Sequence, residues 1–479
     1  MDLPSILQRL LSPNNEVRKL AEKEYDHFKS KEMLFALVEI LVNASIDPPS
    51  LHQLSSTLLR RLICYEHHFQ LLSNEEKQKF QSLLLSTLKY PHLSNLSSNI
   101  CDVIGYLITY EINLQEWREL FDFIFDCLQN YHPHHNMYGC GVTLLGYSSI
   151  HHRDLILNTQ FLPIITKTME TCLIHHENNL KLPILGIKAM SNIFESISQE
   201  SSIHVIDQWV SLLFQSLDSL LSRSLHPDHD ENTVYAYLEV LIDVMEEFTQ
   251  YFISTMSSFA PRLLQYFEEK SLPGNIKNMI LELLIVLSTQ APKYVRKLKD
   301  ARFPKGYLFS YLLSYCIHLM QSVPEEPNWH LQLNVDEDED NNSDHVIGES
   351  SIDRLSKALG LKFTLQTMVS QIGQLLHAQD WRSNYIGLRM LGNYLEVTAN
   401  LSKKELARHH QEISTTLLVF SSLHQHHRVK AAAFYAIGQL FLMHGDRMSD
   451  DIAQALFARL LESIVVEMTG CPRLRLYVR

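Results

Sequence analysis

Glycine and proline are scarce in this 479-residue chain, with 15 and 16 residues respectively, while 46% of it is hydrophobic. No stretch alternates apolar and polar residues long enough to make a sheet, so little but helix remains. The seven cysteines, Cys64, Cys101, Cys127, Cys140, Cys172, Cys316 and Cys471, include no CxxC pair. That spacing excludes a thiolate metal knuckle or disulfide scaffold and reads as reduced core thiols of a cytosolic or nuclear protein. Basic charge is also in deficit, 41 lysines and arginines against 54 acids, for a net charge of −13. This disfavours a broad nucleic-acid surface, which needs lysine and arginine to displace counterions, and favours basic protein partners. The opening "MDLPSILQRLLS" lacks the basic region of a signal peptide, and the apolar run Tyr311–Met320 is too short to span a bilayer. The sequence also lacks G-x-S-x-G, G-x-x-x-x-G-K-[ST] and H-E-x-x-H, so no catalytic, cofactor or metal residue is assigned.

What is present is a repeat. In "HQHHRVKAAAFYAIGQL" (His424 to Leu440), Val429, Ala432, Ala433, Ala436, Ile437 and Leu440 recur at three- and four-residue intervals, one apolar stripe of a helix. "DWRSNYIGLRMLGNYLE" from Asp380 and "NNEVRKLAEKEYDHFKS" from Asn14 superimpose on it without gaps. The column of Ala433 holds Gly387 and Ala21, small each time, which lets a neighbouring helix approach closely. The offset between the last two copies falls inside the HEAT/armadillo period of about 40–47 residues.

Helical periodicity covers Asn15–Lys29, Lys31–Asn43, Leu51–Ile63, Asn74–Lys89, Leu93–Tyr110, Leu114–Gln129 and Phe161–Leu173. It continues over Asn178–Ile197, Ile203–Leu220, Asn232–Thr249, Phe252–Phe267, Gly274–Thr289 and Gly306–Gln321. With later segments this predicts an all-α fold, a HEAT-repeat solenoid, right-handed and superhelical, of about ten antiparallel helix pairs. Such a stack buries a continuous core and leaves a long face for binding.

One segment breaks the pattern: "SVPEEPNWHLQLNVDEDEDNNSDHVIGES", Ser322 to Ser350. Asp336, Glu337, Asp338, Glu339 and Asp340 are consecutive carboxylates that repel one another and bury no apolar face, so they form a loop. A helix is expected to restart at "SIDRLSKALG", with Ser350 and Asp353 as the start signal and Gly360 as the stop. A loop kept inside a stack and carrying acid suggests that a basic surface is held there.

Two histidine trios, His132, His134, His135 and His424, His426, His427, sit at helix entrances and lack a clear fourth metal ligand. They read as intra-repeat turns, the second as a weakly basic rim. "GCGVTLLG", with Gly139, Gly141 and Gly146, lacks the dinucleotide spacing and reads as close helix packing. Arg18 and Glu22 form an i, i+4 pair that supports its helix.

In order along the chain stand "LLSPNNEVRKLAEKEYDHF", "HQLSSTLLRRLI", the acidic loop with "GESSIDRLSKALG", "QDWRSNYIGLRMLG" and "HHRVKAAAFYAIGQL". This order resembles the importin-beta (karyopherin-beta) superfamily, within it the importin-4/importin-5 branch, over nearly the whole chain. The resemblance implies a nuclear transport receptor, not an enzyme, without cofactors. It would bind the GTP form of the Ran GTPase, basic cargo proteins and phenylalanine-glycine nucleoporins, but neither nucleic acid nor membrane. Its place would be cytoplasm, nucleus and nuclear pore. The implied organisation is N-terminal HEAT repeats over 1–322, an acidic loop over 323–349 that couples Ran binding to cargo release through Asp336–Asp340, and further repeats over 350–479. The alternative is a HEAT scaffold blind to nucleotide state, or a truncated receptor without full transport activity.

Two departures from the family stand out. An aspartate six residues ahead of a basic residue often builds a ladder, but Arg18, Asn384 and Lys430 are preceded there by Ser12, Ala378 and His424. The final "CPRLRLYVR" looks like another repeat entrance, as expected of an N-terminal half.

Overall fold

The computed structural model describes residues 3–28, 31–43, 45, 49–111, 117–150, 161–174, 181–196, 203–225, 231–299, 306–326, 328–331, 343–398, 403–466 and 473. Every long element among them is helical, and they divide into two units, Met1–Val244 and Met245–Arg479.

In the first unit lie α1 (Leu3–Leu10), α2 (Asn15–Phe28), α3 (Lys31–Val42), α4 (Pro49–Cys64), α5 (Asn74–Thr87) and α6 (Ser97–Tyr106). They are followed by α7 (Arg118–Asn130), α8 (Asn136–Ser149), α9 (Leu162–Ile174), α10 (Leu182–Ser196) and α11 (Ile203–Arg223). Helices α1/α2, α3/α4, α7/α8 and α9/α10 pair, and the second members α4, α6, α8 and α10 pack side by side. Helix α12 (Glu231–Glu268) bends at Phe248, where φ −117° and ψ 32° leave the helical region. The two segments expected at Asn232–Thr249 and Phe252–Phe267 therefore meet at a kink rather than at a loop.

The second unit continues with α13 (Gly274–Gln290), α14 (Tyr307–Met320), α15 (Asp344–Leu359), α16 (Leu361–Leu376) and α17 (Trp381–Val397). Last come α18 (Lys403–Leu423), α19 (His427–His444) and α20 (Asp450–Val466). Here α14/α15, α16/α17 and α18/α19 are pairs, and α13, α15, α17 and α19 form the row of second helices. This is the HEAT arrangement that the repeat predicted.

Local chemistry fixes the ends. Ser73 and Glu76 make a reciprocal capping box on α5, Ser73 N donating to Glu76 Oε2 at 2.7 Å and Glu76 N to Ser73 Oγ at 3.3 Å. Asp380 caps α17 by accepting from Ser383 N at 2.8 Å. Gly360, at φ 73°, ends α15 as expected. The start of that helix is corrected: it begins at Asp344, six residues before Ser350, whose Oγ donates to Ile347 O inside the helix. The helix thus includes 344–349, and Ser343 occupies the cap position.

The small column is buried in all three copies, with Ala21 and Ala433 fully so. A Cβ on Gly387 would lie 2.9 Å from Leu376 Cδ2, so glycine there sets the α16–α17 approach. Leu20 departs from the pattern: it is 56% exposed, whereas its counterparts Ile386 and Ala432 are buried. Gly141 serves helix packing as well, since a Cβ would stand 2.7 Å from Cys127 Cβ. Cys101, Cys127, Cys140, Cys172 and Cys316 are buried free thiols and Cys64 is half-buried, while Cys471 lies outside the described residues. Burial pushes the Cys127 thiol up to about 12, which removes thiolate reactivity at neutral pH.

Candidate protein-binding surfaces

The acidic tract Asp336, Glu337, Asp338, Glu339 and Asp340 lies outside the described residues. Its flanks do not. The described residues 323–326 and 328–331 lie across the beginnings of α17 and α19. Arg382 Nε donates to Val323 O at 3.2 Å and its guanidinium lies 3.7 Å from Glu325, while Arg428 pairs with Glu326 at 3.2 Å. Trp329, 5% exposed, has the guanidinium of Arg428 5.0 Å and that of Arg473 4.7 Å from its ring centre. Cation–π attraction and burial thus add an aromatic anchor to these polar tethers. His330 stacks on His427 at 4.7 Å. On the other flank, Asn278 of α13 donates to Asp344 Oδ1 at 2.9 Å.

The row of second helices carries a charge ladder, although not from the positions where the family's aspartates would stand. Glu282 of α13 takes Arg354 of α15 through two bonds of 2.7 Å. Glu349 of α15 accepts from Arg389 Nε of α17 at 2.7 Å, and Lys357 of α15 bridges Asp353 at 3.0 Å and Glu396 of α17 at 2.8 Å. Burial opposes the charge on Arg389, yet Glu349 more than offsets it and the pKa rises. Hydrogen bonds that Lys357 donates to Glu396 and then to Asp353 raise its pKa. In the first unit, Arg60 of α4 lies 3.6 Å from Asp102 of α6, which also accepts from Tyr147 OH of α8 at 3.2 Å. The column that lacks the family's basic residue is satisfied otherwise: Asn384 Nδ2 donates to Ala378 O at 2.8 Å and Leu375 O at 3.1 Å, closing the end of α16.

Between α15, α17 and α19 the second unit opens a cleft of about 300 Å³ whose walls include Glu349, Asp353, Arg389, Glu396, Arg428 and Tyr435. Arg389 also lies over Tyr435, 4.1 Å from the ring centre. A cationic side chain entering this cleft meets three carboxylates and an aromatic face, in competition with Arg389 and Lys357.

The histidines are turns, as expected. His424 Nδ1 accepts from His426 N at 3.1 Å, and His135 Nδ1 accepts from Met137 N at 3.2 Å at the start of α8. The basic-rim expectation is corrected for His424 and His426. His426 lies flat on Trp381, rings 3.9 Å apart and 6° from parallel. Its burial, then the neighbouring His424, lowers its pKa to about 4, and burial lowers that of His424, so both are neutral at pH 7. Among the described residues no group of three or more His, Cys, Asp or Glu is placed to hold a metal ion.

Sequence reading missed a groove between the first helices α16 and α18. Val369 and Val419, each 47% exposed, flank it, and Ile372, Leu376, Ile413 and Phe420 line about 330 Å³. The available signal was apolar residues at 369 and 419, off the buried stripe of helices that need only one.

Comparison with known proteins gives two sequence-family matches: one described as "IPO5-like, TPR repeats" over residues 93–260 and one described as "Importin repeat" over 269–366. Among solved structures, Kap121p bound to the SUMO protease Ulp1p superposes with a TM-score of 0.73 at 18% identity, covering 99% of this chain and 43% of that one. Kap121p bound to RanGTP gives 0.72 at 18%, with 99% and 43% covered, and Kap121p bound to Nup53p gives 0.70 at 17%, with 99% and 44% covered. This chain thus spans less than half the length of the solved structures it matches. No described helix is long and apolar enough to cross a membrane. With consecutive importin-type repeats over its middle and the HEAT fold throughout, the chain belongs to the importin-beta superfamily.

Proposed function

We propose that this protein is a nuclear transport receptor of the importin-5 type, a binding protein rather than an enzyme. It takes basic cargo on its second helices, responds to Ran-GTP, and moves through pores by binding phenylalanine-glycine nucleoporins. The observation that carries the reading is the acidic insert between the two helices of one HEAT pair, α14 and α15, inside an importin-repeat match, with both flanks tied to second helices. In this reading Asp336–Asp340 couple Ran binding to cargo release, and Glu349, Asp353 and Glu396 receive cargo lysines or arginines. The groove between α16 and α18 takes a phenylalanine ring, consistent with its apolar lining. Neighbours of the same fold bound to RanGTP and to Nup53p support Ran-GTP and a nucleoporin as partners. Cytoplasm, nucleus and pore are the corresponding locations.

The experiment is binding of the 479-residue chain to Ran loaded with a non-hydrolysable GTP analogue against Ran-GDP. Preference for the GTP form supports the receptor. Equal binding, or none, favours a scaffold, a reading that the pre-formed pairs Glu349–Arg389 and Glu396–Lys357 also suit.

A further inference from the structure

Beside the cleft between α15, α17 and α19, at the C-terminal ends of α15 and α17 where one HEAT pair hands over to the next, the second unit has a cavity of another character. Its volume is about 930 Å³, and its rim carries Lys293, Arg296, Lys297, Lys357 and Lys362. Among the described residues one carboxylate lines it, Glu396, and that group is bound to Lys357 at 2.8 Å. Lys293, Arg296, Lys297 and Lys362 make no ion pair with any described residue. Elsewhere in this unit Arg354, Arg389, Arg382 and Arg428 each face a carboxylate. Four unmatched cations in one place are conspicuous in a chain of net charge −13.

Arg296 adds a second, independent observation. Its Nε is buried without a hydrogen-bond partner among the described residues, and its guanidinium stands over the Gly360 turn, Nη2 lying 3.8 Å from where a Cβ on Gly360 would be. A buried, unsatisfied charged donor is costly unless something accepts from it. The cavity wall between the cations is apolar, formed by Leu359, Leu361, Phe363 and Val397.

We propose that this cavity is a docking site for a short acidic segment of a partner protein, one that combines aspartate or glutamate with an apolar side chain. Carboxylates would reach Arg296, Lys297 and Lys362 as charge-assisted bonds, and the apolar side chain would cover Leu361 and Phe363. The apolar wall and the small number of cations favour a peptide over nucleic acid, whose binding requires an extended row of phosphate contacts. The protein's own acidic tract is less suited. It joins α15 at Ser343, whereas the cavity sits at the other end of that helix, about 24 Å away along its axis. The site adjoins the cleft proposed for basic cargo across Glu396, but its charge selects the opposite partner.

The test is fluorescence anisotropy of a fluorescein-labelled peptide, Asp-Glu-Leu-Asp-Phe-Glu-Asp, with the 479-residue chain. Saturable binding is expected, weakened about tenfold or more in K297E/K362E, as loss of matched charge pairs across an interface predicts. Both substituted side chains are exposed, and an unchanged melting temperature confirms that the variant folds. Replacing the peptide's Leu and Phe with Ser is expected to abolish binding. No binding by the wild-type chain, or equal binding by K297E/K362E, overturns the proposal. So does displacement of the peptide by single-stranded RNA at lower concentration than by unlabelled peptide. Tighter peptide binding after Asp336–Asp340 are changed to Ser or Asn would also overturn it, by showing that the chain's own tract fills the cavity.

Discussion

Arg389 and Glu349 face one another between helices α17 and α15, each side chain only 20% exposed, with Arg389 Nε donating at 2.7 Å while its guanidinium lies over the Tyr435 ring of α19. One side chain thereby joins three successive second helices. Replacing Glu349 with Gln leaves a half-buried guanidinium short of its carboxylate, and about 2 kcal/mol of stability should be lost. Urea unfolding measures it, and the double variant with Arg389→Met should recover part of the loss. Additive losses would mean that the two groups do not interact.

Trp329 anchors the arm before the acidic tract, so Trp329→Ala is expected to free 328–331 while the helices stay folded. Hydrogen exchange reads this directly: amides of 329–331 should lose protection by about tenfold or more while those of α17 keep theirs. Uniform loss across α17 and α19 would instead make Trp329 a general core residue.

His426 gives a pH dependence of definite sign. Its pKa falls from an ordinary 6.5 to about 4 in the folded chain, because burial against Trp381 disfavours the charged ring. Between those values the unfolded chain binds the extra proton, so stability is full above about pH 6.5 and declines as the pH falls toward 4. His424 and His444 shift the same way, also mainly through burial. Melting temperatures of His426→Phe should fall less between pH 7 and pH 5 than those of the wild-type chain. An identical slope would place the titration elsewhere.

The groove between α16 and α18 should take a phenylalanine-glycine peptide, and Val419→Asp should weaken that binding about tenfold, since it sets a charge beside an apolar contact. Val419 is 47% exposed, so the melting temperature should change little. Unchanged affinity would remove this groove from the pore-binding surfaces.

The elements that sequence resolved and those it did not differ in how local their causes are. Ala433, Gly387 and Ala21 announced the repeat because close helix approach demands a small residue at that one column. Gly360 announced a helix end because its backbone is left-handed there. The true start of α15 was hidden. Ser350 and Asp353 have the spacing of a cap, but Asp344 is held from another helix by Asn278, a contact 66 residues away. The charge ladder was hidden for the same reason, since Glu282 meets Arg354 from 72 residues away and no single-repeat motif shows it. Trp329 looked like loop because its partners, Arg428 and Arg473, lie about a hundred residues or more downstream. The histidine turns were visible, but their neutrality was not, because it depends on what Trp381 buries.

The central claim is that this chain is a receptor whose grip on cargo depends on Ran-GTP, and a single titration tests it. A fluorescent lysine- and arginine-rich peptide is bound to the 479-residue chain, and its dissociation constant is measured with and without Ran carrying a non-hydrolysable GTP analogue. The account predicts that affinity for the peptide falls about tenfold or more with Ran-GTP, is unchanged by Ran-GDP, and responds less to Ran-GTP once Asp336–Asp340 are changed to Ser and Asn. Peptide affinity that is the same with Ran-GTP, Ran-GDP and no Ran would contradict it.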